Sequence, residues 1–342
     1  MSDATQDLWA VPRGRYWGFV DRSGQMQIPP ERFTGAEPFS EGLAAVTLAR
    51  KKGYIDPTGE IRIEPQFDSA GRFSQGLAPV ARGRRKEPCF YIDRSGQQAF
   101  AGKFLKAGEY GDGRAVVLRV QPGGGPHLQT WIDGQGRPML PLLPRQLYPL
   151  SEGLAPAVDP GTGRFGYLDP DGEWAISPDY QSAGDFCEGL AVVVVDRPDG
   201  EVETFVIDRQ AREVWRFPVP YLDVRPYREG LLRVPVDGSD TFARAYVDHE
   251  GQVVIPPSRR HWGDFHDGRA VILEADGRHG YIDRTGRVVV SPVLRFASDF
   301  DRGLARVGPF QDRPGTHGLI DLDGNWIWPP DAAERGFPDL AP

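Results

Sequence analysis

The sequence predicts an all-β protein, built as a tandem array of nine three-stranded antiparallel β-meander repeats of about 37 residues each. One observation behind this prediction is a short hydrophobic segment ending in aspartate, which recurs along the whole chain. The other is the absence of any stretch of ten or more residues with helical spacing, since apolar positions alternate as they do in strands. We expect a curved, solenoid-like array, with a closed propeller-like ring as the alternative. The aspartates are Asp21, Asp56, Asp93, Asp133, Asp169, Asp208, Asp248, Asp283 and Asp321.

The repeats also define the domain organisation. Successive aspartates are separated by 35 to 40 residues, and no break in composition interrupts them. We therefore predict a single continuous array over residues 1–330, followed by a C-terminal tail over residues 331–342. The 42 glycines and 32 prolines recur at fixed repeat positions, so they indicate turns rather than disorder.

Each repeat contains three segments of strand character. In the second repeat they are GLAAVTL from Gly42, KGYID from Lys52 and IRIEP from Ile61. β-Branched and aromatic residues dominate these segments, and glycine or proline bounds them, as is typical of short strands. Because proline lacks the N–H that a strand ladder needs, we expect the prolines after the third segment to end the pairing. These prolines are Pro30, Pro65, Pro178, Pro257, Pro292 and Pro330.

The recurrent aspartate opens a turn of the form Asp-x-x-Gly in nearly every repeat. Its carboxylate can accept hydrogen bonds from backbone N–H groups of the turn, and the glycine can adopt the positive φ that closes a hairpin. In one repeat Ala211 replaces this glycine. We predict that this turn is the most strained or altered one.

Aromatic residues recur at two further positions. One set lies two residues before the aspartate, and the other lies three residues before the glycine of the following turn. Residues at the same place in every repeat are expected to stack through the array as one elongated core. The first set is Phe19, Tyr54, Tyr91, Trp131, Tyr167, Tyr246 and Tyr281, and the second is Phe39, Phe73, Tyr110, Phe186, Tyr227, Phe265 and Phe300.

This combined pattern resembles the WG-repeat (KWG-repeat) family of bacterial β-repeat proteins. The resemblance rests on YWGFVDRSGQMQIPPERF from Tyr16, on FSEGLAAV from Phe39 and on their later copies. It implies an all-β repeat fold and a binding or scaffold role without catalytic residues. The signature tryptophan stands at Trp17, whereas the equivalent place holds other residue types elsewhere, so this tryptophan is not a required ligand contact.

Composition and charge narrow the class of function. Forty basic against 48 acidic residues give a formal charge of −8, which argues against general binding of nucleic acids or anionic membranes. No run of 18 apolar residues is present, so no membrane span is expected. The start, MSDATQDLWA, lacks the pattern of a secretory signal, and Cys89 and Cys187 show no pairing or metal spacing. We therefore expect a cytoplasmic protein.

The sequence carries no catalytic signature, and we predict a non-enzyme without catalytic residues, metal or cofactor. The turn at Asp321 begins like a calcium loop, but Trp326 and Ala332 stand where an EF-hand loop has glycine and glutamate. His279 and His317 occupy equivalent places in adjacent repeats. Two histidines without a third ligand make a poor zinc site, so we expect both on the hairpin surface.

Two adjacent repeats carry a cluster of cations in their first hairpins. Equivalent hairpins are expected to lie along one edge of the array, which predicts a docking patch for an acidic protein surface or a phosphate-bearing ligand. The alternative is that these are solvated loop tips. The cations are Arg50, Lys51, Lys52, Arg82, Arg84, Arg85 and Lys86.

Two features depart from the repeat pattern and are candidates for partner contacts or for local repacking. Trp262 stands six residues before a turn glycine, where alanine is usual, as at Ala36 and Ala70. The fourth repeat also contains an insert, PLLPRQLYPL, from Pro141.

Together these features predict a non-enzymatic repeat scaffold that binds another macromolecule, with a protein as the expected partner, through a surface built by successive hairpins. One alternative is an immunity-type neutraliser of a toxin, since an acidic protein would suit a basic partner. The other is a carbohydrate or cell-envelope binder that uses the aromatic faces.

Overall fold

The repeats fold as nine small antiparallel sheets in the part of the chain that the computed structural model describes, residues 7–83, 88–119, 128–140, 146–220, 222–235, 243–308, 317–329 and 340. No helix occurs in these residues, and thus none long and apolar enough to cross a membrane. The predicted all-β array of meander repeats is confirmed. The chain divides into two compact units, Met1–Leu150 and Ser151–Pro342.

The first unit contains four sheets, in which each strand pairs with its neighbours in the sequence. The first sheet is β1 (Trp9–Arg13), β2 (Tyr16–Val20) and β3 (Met26–Phe33). The second is β4 (Gly35–Ala36), β5 (Ala44–Leu48), β6 (Lys51–Ile55) and β7 (Ile61–Phe67). The third is β8 (Ser69–Ala70), β9 (Ala78–Ala81) and β10 (Cys89–Ile92), and the fourth is β11 (Lys106–Ala107), β12 (Arg114–Arg119) and β13 (Leu128–Asp133).

The second unit contains five sheets with the same order of pairing. The fifth sheet is β14 (Ala155–Val158), β15 (Phe165–Leu168) and β16 (Trp174–Tyr180), and the sixth is β17 (Ser182–Ala183), β18 (Leu190–Asp196), β19 (Val202–Asp208) and β20 (Glu213–Arg216). The seventh is β21 (Leu232–Val234), β22 (Arg244–Val247) and β23 (Val253–Ser258). The eighth is β24 (Arg269–Leu273), β25 (His279–Asp283) and β26 (Val288–Leu294), and the ninth is β27 (Phe296–Ala297), β28 (Leu304–Gly308), β29 (Gly318–Asp321) and β30 (Trp326–Trp328).

A bulge in the third strand of the repeat explains the glycine that precedes the aromatic residue of the motif. In the second sheet, pairing passes from Ile63 to Phe67 on β7 while β6 advances by two residues, so three residues oppose Gly53. A Cβ at Gly53 would lie 2.5 Å from the Ile63 carbonyl oxygen, so only glycine fits there. The expectation that proline ends the pairing is wrong. Pro65 lies inside the bulge, where its missing N–H is not needed, and pairing resumes at Phe67.

The Asp-x-x-Gly turns have the predicted hydrogen bonds. At Asp56, the Oδ1 atom accepts the N–H groups of Thr58 and Glu60 at 2.9 and 3.1 Å, and the other eight aspartates accept the same two bonds. Ala211 keeps this turn geometry, with a φ of 61° and its N–H donating to the Asp208 carbonyl at 3.0 Å. The strain expected at this turn therefore arises because an L-amino acid is held in the left-handed region of backbone conformation.

A second, two-residue turn precedes the strand that pairs with the aspartate-motif strand, such as β5 in the second sheet. At Glu41-Gly42 both φ angles are positive, 50° and 75°, and Ser40 and Leu43 exchange two backbone hydrogen bonds. This is the type I′ geometry, whose twist suits a two-residue hairpin.

The side-chain carboxylate or amide of one such turn accepts hydrogen bonds from backbone N–H groups of the equivalent turn in the next sheet. The carboxylate of Glu41 accepts the N–H groups of Gln75 and Gly76 at 2.6 and 2.9 Å, and that of Glu152 accepts those of Glu188 and Gly189 at 2.7 and 2.9 Å. We call this series the turn ladder. Its further members are Gln75 to Gly113, Glu188 to Gly230, Glu229 to Gly268 and Asp267 to Gly303.

The core is divided into layers between sheets. Every residue of the two predicted aromatic sets is buried, and rings of the two sets meet in pairs, as in Tyr54 with Phe73 at 4.8 Å between centroids. Each pair joins one sheet to the next. The described residues form seven apolar clusters, each between two successive sheets, in place of one elongated core.

Candidate partner-binding surface

Trp262 lies on a β-bulge at the edge of the eighth sheet. The N–H groups of Trp262 and Gly263 both donate to the carbonyl of Val271, at 3.3 and 2.9 Å. Two residues therefore oppose one residue of β24, which is the arrangement of a bulge. The indole is 59% exposed, so the bulge turns a large apolar side chain towards solvent.

The bulge shifts the register by one residue. In the second sheet Ala36, six residues before its turn glycine, pairs with Val46. In the eighth sheet the equivalent partner, Ile272, lies opposite His261, one residue before the expected position. His261 is buried, so it occupies the place that alanine has elsewhere.

The extra residue in the bulge comes from the preceding strand. Arg244 pairs with Ser258, ten residues after the aspartate of its turn. In the eighth sheet His279 pairs with Leu294, eleven residues after the aspartate. The seventh sheet therefore ends its pairing one residue early, and the bulge takes up that residue without any change in repeat length.

Buried polar contacts hold the segment beneath the indole. The Nδ1 atom of His261 lies 2.7 Å from the carbonyl oxygen of Arg244, and burial lowers the pKa of His261. The ring is therefore neutral at pH 7, with Nδ1–H as the donor. The buried Arg233 donates from Nη1 to the His261 carbonyl at 3.3 Å, and the Tyr246 hydroxyl donates to the Gly263 carbonyl at 2.6 Å. Backbone carbonyls on both sides of Trp262 are thereby fixed.

The basic hairpins of the first unit are partly neutralised by neighbouring acids. Lys51 Nζ lies 2.7 Å from Asp68, and Lys52 Nζ lies 3.0 Å from Glu37. Asp68 also accepts the N–H of Gly83 at 2.6 Å, so it joins the two hairpins that the sequence predicts to share an edge.

The remaining cations of this cluster differ in their contacts. The Arg82 guanidinium lies over the rings of Phe67 and Phe90, at 5.3 and 5.5 Å from their centroids. Arg50 is exposed, with a φ of 66°. Arg84, Arg85 and Lys86 lie outside the described residues. The docking patch therefore stays a prediction, with less free charge than the sequence indicates.

The end of the fourth-repeat insert packs into the first unit. Residues 141–145 lie outside the described part of the chain. Leu147 is buried and donates its N–H to the Gln129 side chain at 2.7 Å. The carbonyl of Tyr148 accepts the indole N–H of Trp131 at 3.1 Å. These contacts favour local repacking over a partner contact for this end of the insert.

Turn residues of the sixth to ninth sheets line a cavity of about 410 Å³, formed by residues 187–188, 228–229, 265–267 and 300–302. Three of its four acids, Glu188, Glu229 and Asp267, belong to the turn ladder. Burial raises the pKa of the Cys187 thiol, so the thiol is protonated at neutral pH and is not an activated nucleophile. The cavity thus offers polar contacts from turn residues.

The two equivalent histidines do not form a surface pair. His317 is buried, with its ring centroid 5.0 Å from that of Phe296, and His279 is half-buried on β25. The expected hairpin-surface role is therefore wrong for His317. Within the described residues no group of three or more His, Cys, Asp or Glu side chains could hold a metal ion.

The repeats match a known family model. The model described as WG containing repeat matches four stretches of the chain, residues 17–51, 53–83, 165–197 and 280–308. No curated protein matches the chain.

One solved structure shares the fold at low sequence identity, and a second superposes less closely. The crystal structure of the eukaryotic initiation factor superposes with a TM-score of 0.54, at 11% identity, over 94% of this chain and 95% of that chain. The β-propeller domain of the Trilobed protease from Pyrococcus furiosus, which has an open velcro topology, gives a TM-score of 0.42 at 8% identity, over 95% and 98% of the two chains. At 11% identity the likeness to the initiation factor concerns the fold alone.

Proposed function

We propose that this chain, four stretches of which match the WG-repeat family model, is a non-enzymatic scaffold that binds a protein partner, with Trp262 as the apolar anchor. The bulge at Trp262 carries the proposal. A register shift exposes the indole, although burying large aromatic rings is the rule at the repeated aromatic positions.

An anchor of this kind suits protein recognition for two physical reasons. Tryptophan is enriched among the residues that dominate binding energy at protein interfaces, because its ring buries a large apolar area and its N–H can bond a partner. The segment that carries Trp262 is already fixed by hydrogen bonds to the carbonyls of His261 and Gly263. Binding therefore loses little conformational entropy in the backbone.

The basic hairpins have a secondary role in this proposal. Lys51 and Lys52 already have acidic neighbours, so we assign the attraction of an acidic partner to Arg50 and to the hairpin of Arg82. Exposed charges of this kind increase the association rate more than the affinity.

The experiment that tests the proposal compares capture of partners from a native lysate by the wild-type protein and by Trp262→Ala. Leu222→Ala is the matched control, because Leu222 is 65% exposed in the same unit and lies outside the bulge. We expect at least one protein that the wild type and the control capture equally and that Trp262→Ala captures at least tenfold less. Equal capture by all three proteins would remove Trp262 as the anchor.

A further inference from the structure

The chain fills one of its own inter-sheet grooves with Leu340. The N–H of Ser291 on β26 donates to the Leu340 carbonyl at 2.9 Å. The Leu340 side chain is buried in the cluster between the eighth and ninth sheets. It lies over Gly324, since a Cβ at Gly324 would be 3.8 Å from the Leu340 Cβ. An aliphatic side chain thus completes the core at this groove, with one main-chain hydrogen bond to the edge strand.

The equivalent groove one sheet earlier is an open cavity of about 260 Å³. Its lining includes Ile255, Ser258, Ile272, Ile282, Gly286 and Val288. Residues of this lining occupy the same repeat positions as residues at the groove that Leu340 fills. Ile255 corresponds to Val290, seven residues after the aspartate, and Gly286 corresponds to Gly324, three residues after it. A cavity of roughly 150 Å³ already holds a benzene molecule, so this groove has room for a leucine side chain.

Two other grooves are filled by the residue that corresponds to Ile255. Trp215 occupies this position in the sixth sheet, where a Cβ at Gly251 would lie 2.7 Å from its ring. Phe100 occupies it in the third repeat, where a Cβ at Gly136 would lie 2.2 Å from its ring. Large rings therefore lie against the turn glycine in those two grooves, and Leu340 supplements the small Val290. Ile255 also lies against its turn glycine, since a Cβ at Gly286 would be 2.8 Å from its Cγ2, but a cavity of about 260 Å³ remains at this groove.

The polar groups at the open groove differ from those at the filled groove, and the difference favours binding of a segment from another protein. Pro256 stands where Ser291 donates to Leu340, and proline has no N–H to give. Arg260 lines the same cavity, and its Nε atom is buried without a hydrogen-bond partner among the described residues. Its Nη2 atom is held 2.6 Å from Glu274. A buried donor without a partner is costly, so a ligand acceptor that reaches this nitrogen as the partly exposed Arg260 side chain moves would stabilise it.

We propose that the groove between Ile255 and Gly286 binds an extended peptide segment of a partner protein, through one leucine-sized aliphatic side chain. The side chain occupies the place that Leu340 has in the next groove, and Arg260 Nε donates to a main-chain carbonyl of the peptide. This mode of recognition combines a pocket for a side chain with a bond to the main chain. It does not depend on the anchor, because the Trp262 side chain is not part of the lining.

The test uses a fluorescent synthetic peptide, GFPDLAP, which is the sequence of residues 336–342 of this chain. Fluorescence anisotropy with the full-length protein should show saturable binding, and GFPDAAP should bind at least tenfold more weakly. Ile255→Trp copies the residue at the equivalent place in the sixth sheet and should weaken binding at least tenfold. Ile63→Trp places the same substitution in the first unit and should leave the affinity unchanged. Should Ile255→Trp fail to fold, Ile255→Phe copies Phe100 instead.

Further variants separate this site from the other possibilities. Arg260→Gln should weaken the peptide about five- to tenfold with an unchanged circular dichroism spectrum, and Trp262→Ala should leave its affinity unchanged whether or not the anchor binds a partner. A peptide with a photoreactive leucine analogue should cross-link to the segments around Ile255 and Ile282. Cross-links confined to the segments around Val290 and Gly324 would mean that the peptide only exchanges with the chain's own Leu340. That result, or full binding to Ile255→Trp, would overturn the proposal.

Discussion

The hydroxyl of Tyr281 donates to the carbonyl of Ser298, seventeen residues later, at 2.6 Å. The bond crosses from the eighth sheet to the ninth. Four other tyrosines make the same bond over the same spacing, and Trp131 makes it with its indole N–H. The repeated aromatic residue therefore joins sheets through both its ring and its polar atom.

Replacing Tyr281 should separate these two contributions. Tyr281→Ala should lower the free energy of unfolding by about 3–5 kcal/mol, because it removes a fully buried ring. Tyr281→Phe should lower it by only ~0.5–1.5 kcal/mol, because the ring stays and one hydrogen bond is lost. Urea unfolding, followed by tryptophan fluorescence and by circular dichroism, measures both. If the two variants unfold alike, the ring is not the stabilising part.

The turn at Ala211 should gain stability from the glycine that the other turns have. Ala211→Gly should raise the free energy of unfolding by about 0.5–1 kcal/mol, since an L-residue with a φ of 61° is strained and glycine is not. Ala175→Gly is the control, because Ala175 lies inside β16 and glycine should destabilise a strand by ~0.5–1 kcal/mol. Thermal or urea unfolding that shows the same sign for both would contradict the strain argument.

The turn ladder should contribute measurably to stability. Glu152→Ala removes two charge-assisted bonds to the N–H groups of Glu188 and Gly189 and should cost about 1–2 kcal/mol, reduced by the exposure of the site. Glu152→Gln should cost about half as much, since Gln75 makes one such bond to Gly113. Urea unfolding gives both values. Glu173→Ala, an exposed glutamate outside the ladder, is the control and should change stability by less than ~0.5 kcal/mol.

Stability should increase with pH around the titration of His261. Burial, together with the nearby Arg233 and Arg260, lowers the pKa of His261 below its ordinary 6.5. The unfolded chain therefore binds more protons than the folded chain just below pH 6.5, so the contribution is fully present above that pH and is lost as the pH falls.

His261→Asn keeps a donor towards the Arg244 carbonyl and removes this titration. It should flatten the dependence of unfolding free energy on pH between about 5.5 and 7. Burial also lowers the pKa of His279, so part of the slope should persist. An NMR titration that places the pKa of His261 at or above 6.5 would refute the burial argument.

Charge reversal should reveal whether the basic hairpins dock a partner. Changing Arg84, Arg85 and Lys86 to Glu should leave stability within ~0.5 kcal/mol and weaken partner capture. Adding Arg82→Glu also removes a cation that lies over two rings, so the quadruple variant should lose a further ~0.5–1 kcal/mol.

Salt dependence supplies the control for this experiment. Capture by the wild type should fall as salt rises, because exposed charges are screened over about 8 Å at physiological ionic strength. Loss of capture in Trp262→Ala should depend little on salt. Unchanged capture by the triple variant would leave the hairpins as solvated loop tips.

Much of the fold follows from the sequence because its turns are local. The aspartate at each turn accepts hydrogen bonds from backbone N–H groups two and four residues later, as Asp56 does from Thr58 and Glu60. The turn geometry can therefore be predicted from the spacing of residues in the sequence. The buried aromatic sets also follow from their fixed positions. Whether the array is open or closed stays a prediction.

The bulge at Trp262, the turn ladder and the position of Leu340 could not be predicted in the same way, for physical reasons. The bulge at Trp262 leaves the repeat length unchanged. The residue spacing therefore identifies Trp262 as unusual, but it does not show that His261 takes the buried position and leaves Trp262 exposed. The turn ladder joins residues 34 to 42 positions apart, and an acid at a surface turn gives no local sign of its distant acceptor role. Leu340 lies in a segment without repeat pattern, so its place in the core is visible only in three dimensions.

The interior turns of the ladder, at Gln75, Glu188, Glu229 and Asp267, each supply an acceptor for the following turn and a donor for the preceding one. A whole repeat is therefore also the natural unit of gain or loss. A duplicated repeat brings its own carboxylate and its own amides, so a longer chain can keep every contact at both junctions. A deletion that begins or ends within a repeat would separate a donor from its acceptor. Lineages of such proteins should therefore change length in steps of about 37 residues, and engineered arrays should be joined at equivalent repeat positions.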